Sequence, residues 1–505
     1  MQVLFLTSDR VVFSSGLRFS QKSEGAYLER LFIMRGVLSI GILDEASVFA
    51  QTVAFLIVWI ITVAIIIFAS WKKRENNSGL ALIYAISLAL IHFIAAFVFF
   101  FNPQQFVNDK WMLYGFREAT YGIVFFAIGN LVAAPFLLNM FNLSKAHPDS
   151  ADIIIPEHQK IFVQKYFKIG AIAFFILPFF LFDIPTARAL VGAAQQLLVV
   201  GVCLICWIAW KENNRQRLRR WLLVAFSFPV LTVLLHGFLG FGTTMTMVIL
   251  FFIVRFFKIK VKTVVIGILL AYLGLSVYLS YMRDRGDIRD VVWTGGSFSE
   301  RINAAKNIVL KPEWFNIFSL EHLELIDSRL NQNVLVGAAV DHLSAGRVDF
   351  AQGKTLTDSF IALIPRIIWE DKPYVAGGSD TASEYTGIMF SESTSVGLGQ
   401  VMEFYINFGR LGVIIGFFAL GVFIAFIGGR AGYYLNKGEV YKFVIWFLPG
   451  LAIVSGGGSF AEIAASAGAN IVIARLVTSR YSNLLYFFLI TAVVFAIVSR
   501  IMGGG

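Results

Sequence analysis

SVFAQTVAFLIVWIITVAIIIFASWKKR, Ser47–Arg74, decides the fold class. From Ser47 to Trp71 it carries no charged residue, and Lys72, Lys73 and Arg74 close it. As a helix rising about 1.5 Å per residue, that run outlasts a hydrocarbon core about 30 Å thick. Similar runs recur at 79–101, 118–141, 169–187, 189–209, 221–239, 243–257, 263–282, 411–429, 443–457, 461–479 and 483–500, which makes about twelve expected spans. The 505-residue chain is 57% hydrophobic and 15% charged, with a mean hydropathy of +0.74, which excludes an ordinary soluble globule. Alternating strands are missing, so the expectation is an all-α polytopic membrane protein rather than a barrel.

The charge pattern sets the topology. Lys72, Lys73 and Arg74, then Lys211, Arg215, Arg217, Arg219 and Arg220, then Arg255, Lys258, Lys260 and Lys262 fill short loops. Such loops mark the cytoplasmic side. The net charge of +10 therefore reports orientation and gives no reason to expect nucleic acid. The long segment 283–410, with 12 Lys and Arg against 17 Asp and Glu, is expected on the opposite, periplasmic face of a bacterial inner membrane. The chain then divides into a tail at 1–46 with an interfacial stretch Leu31–Leu43, a bundle of about eight spans at 47–282, the large loop at 283–410, and about four spans at 411–505.

Inside the large loop, Ser297-Phe-Ser-Glu300 is a capping-box pattern that predicts a helix over 298–310, ahead of Pro312. Leu323, Ile326, Leu330, Val334 and Ala338 recur on one face and predict a second helix over 320–345, with Arg329 beside the stripe and Gly346 as its stop. From Thr355 to Arg410 the charges alternate with apolar residues instead of forming a solvated run. Pro365 and Pro373 bracket a piece whose Ile361, Leu363, Ile364, Ile367, Ile368 and Trp369 suit a membrane surface, with Arg366 and Lys372 at headgroup level.

No metal or cofactor motif is visible: there is no H-E-x-x-H, D-x-D, Walker loop or G-x-S-x-G elbow, and the six His residues are scattered. Cys203 and Cys206 share a helix face, but two thiols in an apolar run suit a core better than a metal or redox pair. The remaining chemistry is cationic. Arg283, Arg285 and Arg289 follow an expected span directly, where a lipid phosphate would lie. The competing reading is a solvated helix end in which Asp284, Asp287 and Asp290 pair with them. Arg410 opens a span and would serve equally as a snorkelling end. Glu403 and Glu462 are carboxylates in apolar surroundings, a costly placement unless paired or functional. His92, His236, Asn130 and Asp183 read as interhelical hydrogen-bonding groups.

RLNQNVLVGAAV (329–340), GKTLTDSFIALIPRIIWEDKPYVAGG (353–378) and EFYINFGRLGVIIGFFALG (403–421) resemble the Wzy-type O-antigen and oligosaccharide repeat-unit polymerases. The I-P-R-x-x-W-x-x-K-P core at Ile364–Pro373 is the most specific part, and the resemblance covers roughly 263–480. It departs at Gly240–Met245, where many members carry an arginine, and at Glu370, where proline is frequent. The resemblance implies a metal-independent glycosyltransferase of the GT-C type, using an undecaprenyl-diphosphate-linked oligosaccharide among membrane lipids, with a chain-length regulator and a flippase as partners. It implies Arg283, Arg285, Arg289, Arg329, Arg366, Lys372 and Arg410 as diphosphate ligands. Glu403 or Asp380, then Glu462 and His342, are the implied proton acceptors. An O-antigen ligase and a lipid-linked oligosaccharide flippase are the alternatives.

Overall fold

A computed structural model describes residues 48–72, 77–101, 109–141, 155–177, 185–257, 261–364, 369, 371–372, 378–391 and 396–479. The tail 1–46, Asp183 and the expected span 483–500 lie outside these residues. Among the described residues the structure is helical throughout, with eight helices long and apolar enough to cross a membrane.

Three long helices open the bundle: α1 Val48–Lys72, α2 Leu80–Phe101 and α3 Lys110–Met140. α2 and α3 each contain one π-helical turn, Ala89–Phe93 and Gly129–Ala133. Each turn aims a polar side chain at a partner: His92 Nδ1 lies 2.7 Å from Asn333 Oδ1, and Asn130 Nδ2 donates to Gly421 O at 3.0 Å. Both residues thus do the bonding expected of them, though the partner of His92 lies outside the long helices.

α4 (Glu157–Phe175) and α5 (Pro185–Lys211) pack along each other, and α6 (Arg215–His236) and α7 (Leu239–Val254) form a hairpin. α8 (Val261–Trp293) runs 33 residues without a break, so the charged stretch after the expected span at 263–282 continues the same helix. The spans expected at 169–187, 243–257 and 443–457 differ most. α4 starts twelve residues early because Glu157–Lys168 keeps a helical pattern despite its charges, while α7 and α16 (Val440–Ile453) are 16 and 14 residues long. Both fall short of the ~20 residues a full crossing needs.

Six short helices follow α8: α9 Phe298–Ala305, α10 Asn307–Leu310, α11 Leu320–Leu330, α12 Asn333–Ser344, α13 Lys354–Leu363 and α14 Gly378–Thr386. The Ser297–Glu300 capping box forms as expected, although the helix breaks at Lys306 instead of running to 310. The helix expected over 320–345 is also two. Asn331 Oδ1 accepts from Asn333 N at 2.9 Å, so its side chain starts a new helix, and Gln332 N leaves the ladder to donate to Ile91 O at 3.1 Å. That second bond draws the chain back into the bundle beside α2. Gln332 Nε2 also donates to Gly397 O and Gly457 O, each at 3.3 Å. α12 then lies so close to α3 that a β-carbon on Gly115 would overlap the Asn333 carbonyl, and one on Gly337 the Trp111 carbonyl.

α15 (Gly399–Asn436) holds a break at Phe408 and Gly409, where φ is +62° at Gly409. α16 and α17 (Phe460–Thr478) form the last described hairpin, whose Gly456 N donates to Ser87 Oγ in the middle of α2 at 2.9 Å. The start of α4 joins two turns, Lys160 pairing with Glu212 at 2.9 Å and Gln159 Oε1 accepting from Val440 N at 3.1 Å, while Ser78 N in the turn before α2 donates to Gly428 O of α15 at 3.2 Å. Described residues after α8 pack back on the bundle, Glu313 N donating to Ser280 Oγ on α8 at 2.8 Å and Gln332 N to Ile91 O on α2 at 3.1 Å.

Candidate functional site

Three arginines, Arg285, Arg289 and Arg329, lie within electrostatic reach of one another near the end of α8. Arg285 and Arg289 are four residues apart, one helical turn, and so share a face. α11 brings Arg329 to them, docked by Tyr278, whose hydroxyl donates to Leu325 O at 3.4 Å. Burial first, and then the neighbouring Arg285 and Arg289, push the Arg329 guanidinium below its ordinary range. Arg289 is buried at 7% exposure, lies over the rings of Phe238 (4.5 Å) and Trp293 (5.4 Å), and donates from Nε to Gly237 O at 3.4 Å. Tyr281 donates to the same carbonyl at 2.8 Å. Arg289 is thus a fixed, aromatic-backed cation, with Arg285 and Arg329 within electrostatic reach of it.

Arg283 faces another way. It pairs with Asp284 at 2.8 Å, donates to Lys311 O at 3.0 Å and lies 3.6 Å from Glu313. It clasps α10 to α8, which is the solvated-end reading of the aspartates realised at one arginine.

Phe238 and Trp293 also line a cavity of about 850 Å³ among α2, α5, α6, α7, α8 and the α16–α17 turn. Most of its wall is apolar. Its polar groups include His236 and Arg301 near the arginine cluster, Gln195 and Gln196 on α5, and Glu462 and Ser466 on α17. Arg301 is held by Gly296 O at 2.8 Å and Leu234 O at 3.3 Å. An amphiphile with an apolar chain and an anionic end fits this arrangement.

The two apolar-context carboxylates sit together but do different things. Glu462 is the N3 residue of a capping box: Ser459 Oγ accepts from its N–H, and its carboxylate accepts from Ser459 N at 3.2 Å. It opens onto the cavity. Glu403, 1% exposed, accepts from Phe460 N at 2.6 Å and so holds the first turn of the same helix from behind. Asp358 and Glu462 both lie within electrostatic reach of Glu403. Asn407 continues the network, donating to Glu403 O at 2.6 Å and Thr355 Oγ1 at 2.7 Å. Among the described residues no three His, Cys, Asp or Glu side chains come together as a metal site requires.

The other expected site residues are dispersed. Lys372 donates to Ala362 O and Ile364 O and so caps the end of α13. Asp380 is exposed in the first turn of α14, and His342 packs under Gly387. Arg366 lies outside the described residues. Arg410 forks onto Glu118, with Nη2 to Oε1 at 2.8 Å. Glu118, Arg117 and Arg301 were not singled out from the sequence. The signal at Glu118 was the same as at Glu403, a carboxylate at the head of an apolar run.

No curated protein and no solved structure matches the chain. One family matches residues 150–448, from just before α4 into α16, and so takes in the arginine cluster, Glu403 and most of the cavity wall. On that match the chain belongs to the family described as Domain of unknown function (DUF8712).

Proposed function

We propose that the protein is a membrane glycosyltransferase that moves a glycan from an undecaprenyl-diphosphate carrier to a second lipid-linked repeat unit, at the periplasmic face of a bacterial inner membrane. The observation that carries this reading is the grouping of Arg285, Arg289 and Arg329 beside a largely apolar cavity, whose lining residues Phe238 and Trp293 also lie against the Arg289 guanidinium. The carrier's diphosphate would meet the guanidiniums while its isoprenoid chain occupies apolar surface. As the acceptor hydroxyl attacks the anomeric carbon, the bond to the diphosphate oxygen breaks. Negative charge then grows on the leaving group, where fixed cations stabilise it most. The acceptor proton passes to a carboxylate, and Glu462 is our assignment because it faces the cavity. Glu403 then acts as a positioning residue.

The test is polymer formation in cells supplied with the lipid-linked repeat unit. Arg289→Gln and Arg329→Gln should leave single repeat units in place of a ladder while the protein stays inserted. A wild-type ladder from both variants would remove the cluster from the site. A flippase for the same lipid is the second reading, favoured by the cavity's position among the long helices. Movement of labelled lipid diphosphate across liposomes, with no glycan transfer, would select it.

A further inference from the structure

On the flank where α3 meets α15, one carboxylate serves two guanidiniums. Glu118, with its side chain fully buried, takes Arg410 through Nη2 at 2.8 Å and Nε at 3.1 Å, and Arg117 through Nε at 3.0 Å. The trio keeps one positive charge. The two arginine side chains are 25% and 44% exposed, beside Phe408, Leu411 and Ile415, which are 52–68% exposed. Tyr114 and Tyr121 lie under the guanidiniums of Arg117 and Arg410, at 5.2 and 5.1 Å from ring centre to carbon. A charge on an apolar flank is costly inside hydrocarbon but favourable beside a phosphate.

The helix lengths say which applies. Arg410 lies 26 residues before the end of α15 at Asn436, and Arg117 lies 23 before the end of α3 at Met140. At 1.5 Å per residue these are about 39 and 35 Å, beyond a hydrocarbon core of about 30 Å. Both guanidiniums therefore reach headgroup depth. Arg285, 24 residues from the start of α8, reaches about 36 Å, the same level, on different helices.

We propose that Arg117 and Arg410, held by buried Glu118, bind the phosphate of a lipid headgroup on this flank. The site is separate from the Arg285–Arg289–Arg329 cluster, and it stands whether or not the glycan-transfer reading does. Buried Glu118 fixes the two forks and lowers the conformational cost of binding. A bilayer phospholipid and a polyprenyl diphosphate both present such a phosphate, so both belong in the test.

The experiment is native mass spectrometry of the full chain with dioleoylphosphatidylglycerol, geranylgeranyl diphosphate, or dioleoylglycerol, which lacks phosphate. Each is run on the Arg289→Gln background to silence the first cluster. Retention of a phosphate lipid over dioleoylglycerol, lowered about 10-fold by Arg117→Gln, is the expected result. Arg117→Gln leaves the Arg410–Glu118 fork in place, so the fold is kept. Arg410→Lys, with the charge but not the fork, should fall between. Preference for the phospholipid or the diphosphate identifies the source. Equal retention of dioleoylglycerol, or no effect of Arg117→Gln on either phosphate lipid, overturns the proposal.

Discussion

Glu403 and Glu462 look alike in sequence, yet the fold separates their tasks. Glutamine can fill the N3 place of a capping box, so Glu462→Gln should fold normally. If its carboxylate takes the acceptor proton, transfer should fall by about 10²–10⁴-fold. Glu403→Gln keeps an oxygen to accept from Phe460 N and should cost under about 10-fold. Equal losses in the rate of ladder growth would reverse the two assignments. Asp327 on α11 gives a pH prediction. Burial raises its carboxyl to about 7, against the opposing bond from Asn331 Nδ2 at 2.8 Å. The folded state thus holds a proton that the unfolded chain releases near pH 4. The stability this adds is complete below about pH 4 and is lost as pH rises through about 7, a swing of about 2–4 kcal/mol. Thermal unfolding in detergent from pH 5 to 8 should show a falling midpoint, and Asp327→Asn should flatten it. These two residues also mark what could be read in advance. Glu403 stood out because its neighbours are apolar, whereas nothing near Asp327 in the chain signals that Tyr278 and α8 will cover its helix.

At the level of elements, what was local was legible. The Ser297–Glu300 box needs only four residues, and it forms. The break between α11 and α12 depends on Ile91 O, some 240 residues away, while the apolar stripe from Leu323 to Ala338 runs straight through it. Position in three dimensions overrode periodicity there. The crossing of α12 on α3 makes a direct test. Gly337→Ala must force the Trp111 carbonyl away and should destabilise by about 1–3 kcal/mol. Gly240→Ala, with nothing within 4 Å, should sit at or above wild type. A thermal-shift comparison that found the two alike would mean α12 does not pack as described. Gly409 carries the break in α15 at φ +62°, a conformation costing a side-chain-bearing residue about 1–3 kcal/mol. Gly409→Ala should therefore lower the midpoint and loosen the Arg410–Glu118 pair one residue on.

For the whole molecule, hydropathy was enough to foresee an all-helical chain with several helices long and apolar enough to cross a membrane. It could not foresee the cavity, because a cavity depends on where helices fail to touch. From Val261 to Gly274 every residue of α8 except Thr263 is exposed, so four turns stand clear of the other described helices. α7 presents Phe241, Thr244 and Met247 to the cavity, and α8 adds only Val292 and Trp293, at its far end. On the proposed function, the gap between these consecutive helices is where an isoprenoid chain would enter sideways from the bilayer while its diphosphate stays at the arginines. Gly192 on α5 lines the same cavity, and a β-carbon there meets nothing within 4 Å. Gly192→Phe should thus fill part of the space without disturbing the backbone. Expression and thermal midpoint should match wild type, while ladder growth falls by more than about 10-fold, since a ring of this size displaces several methylenes worth about 0.8 kcal/mol each. The loss should be steeper for a long prenyl donor than for a short one. An equal loss for both would place the chain outside the cavity, and an unchanged ladder would mean that the arginines work without it.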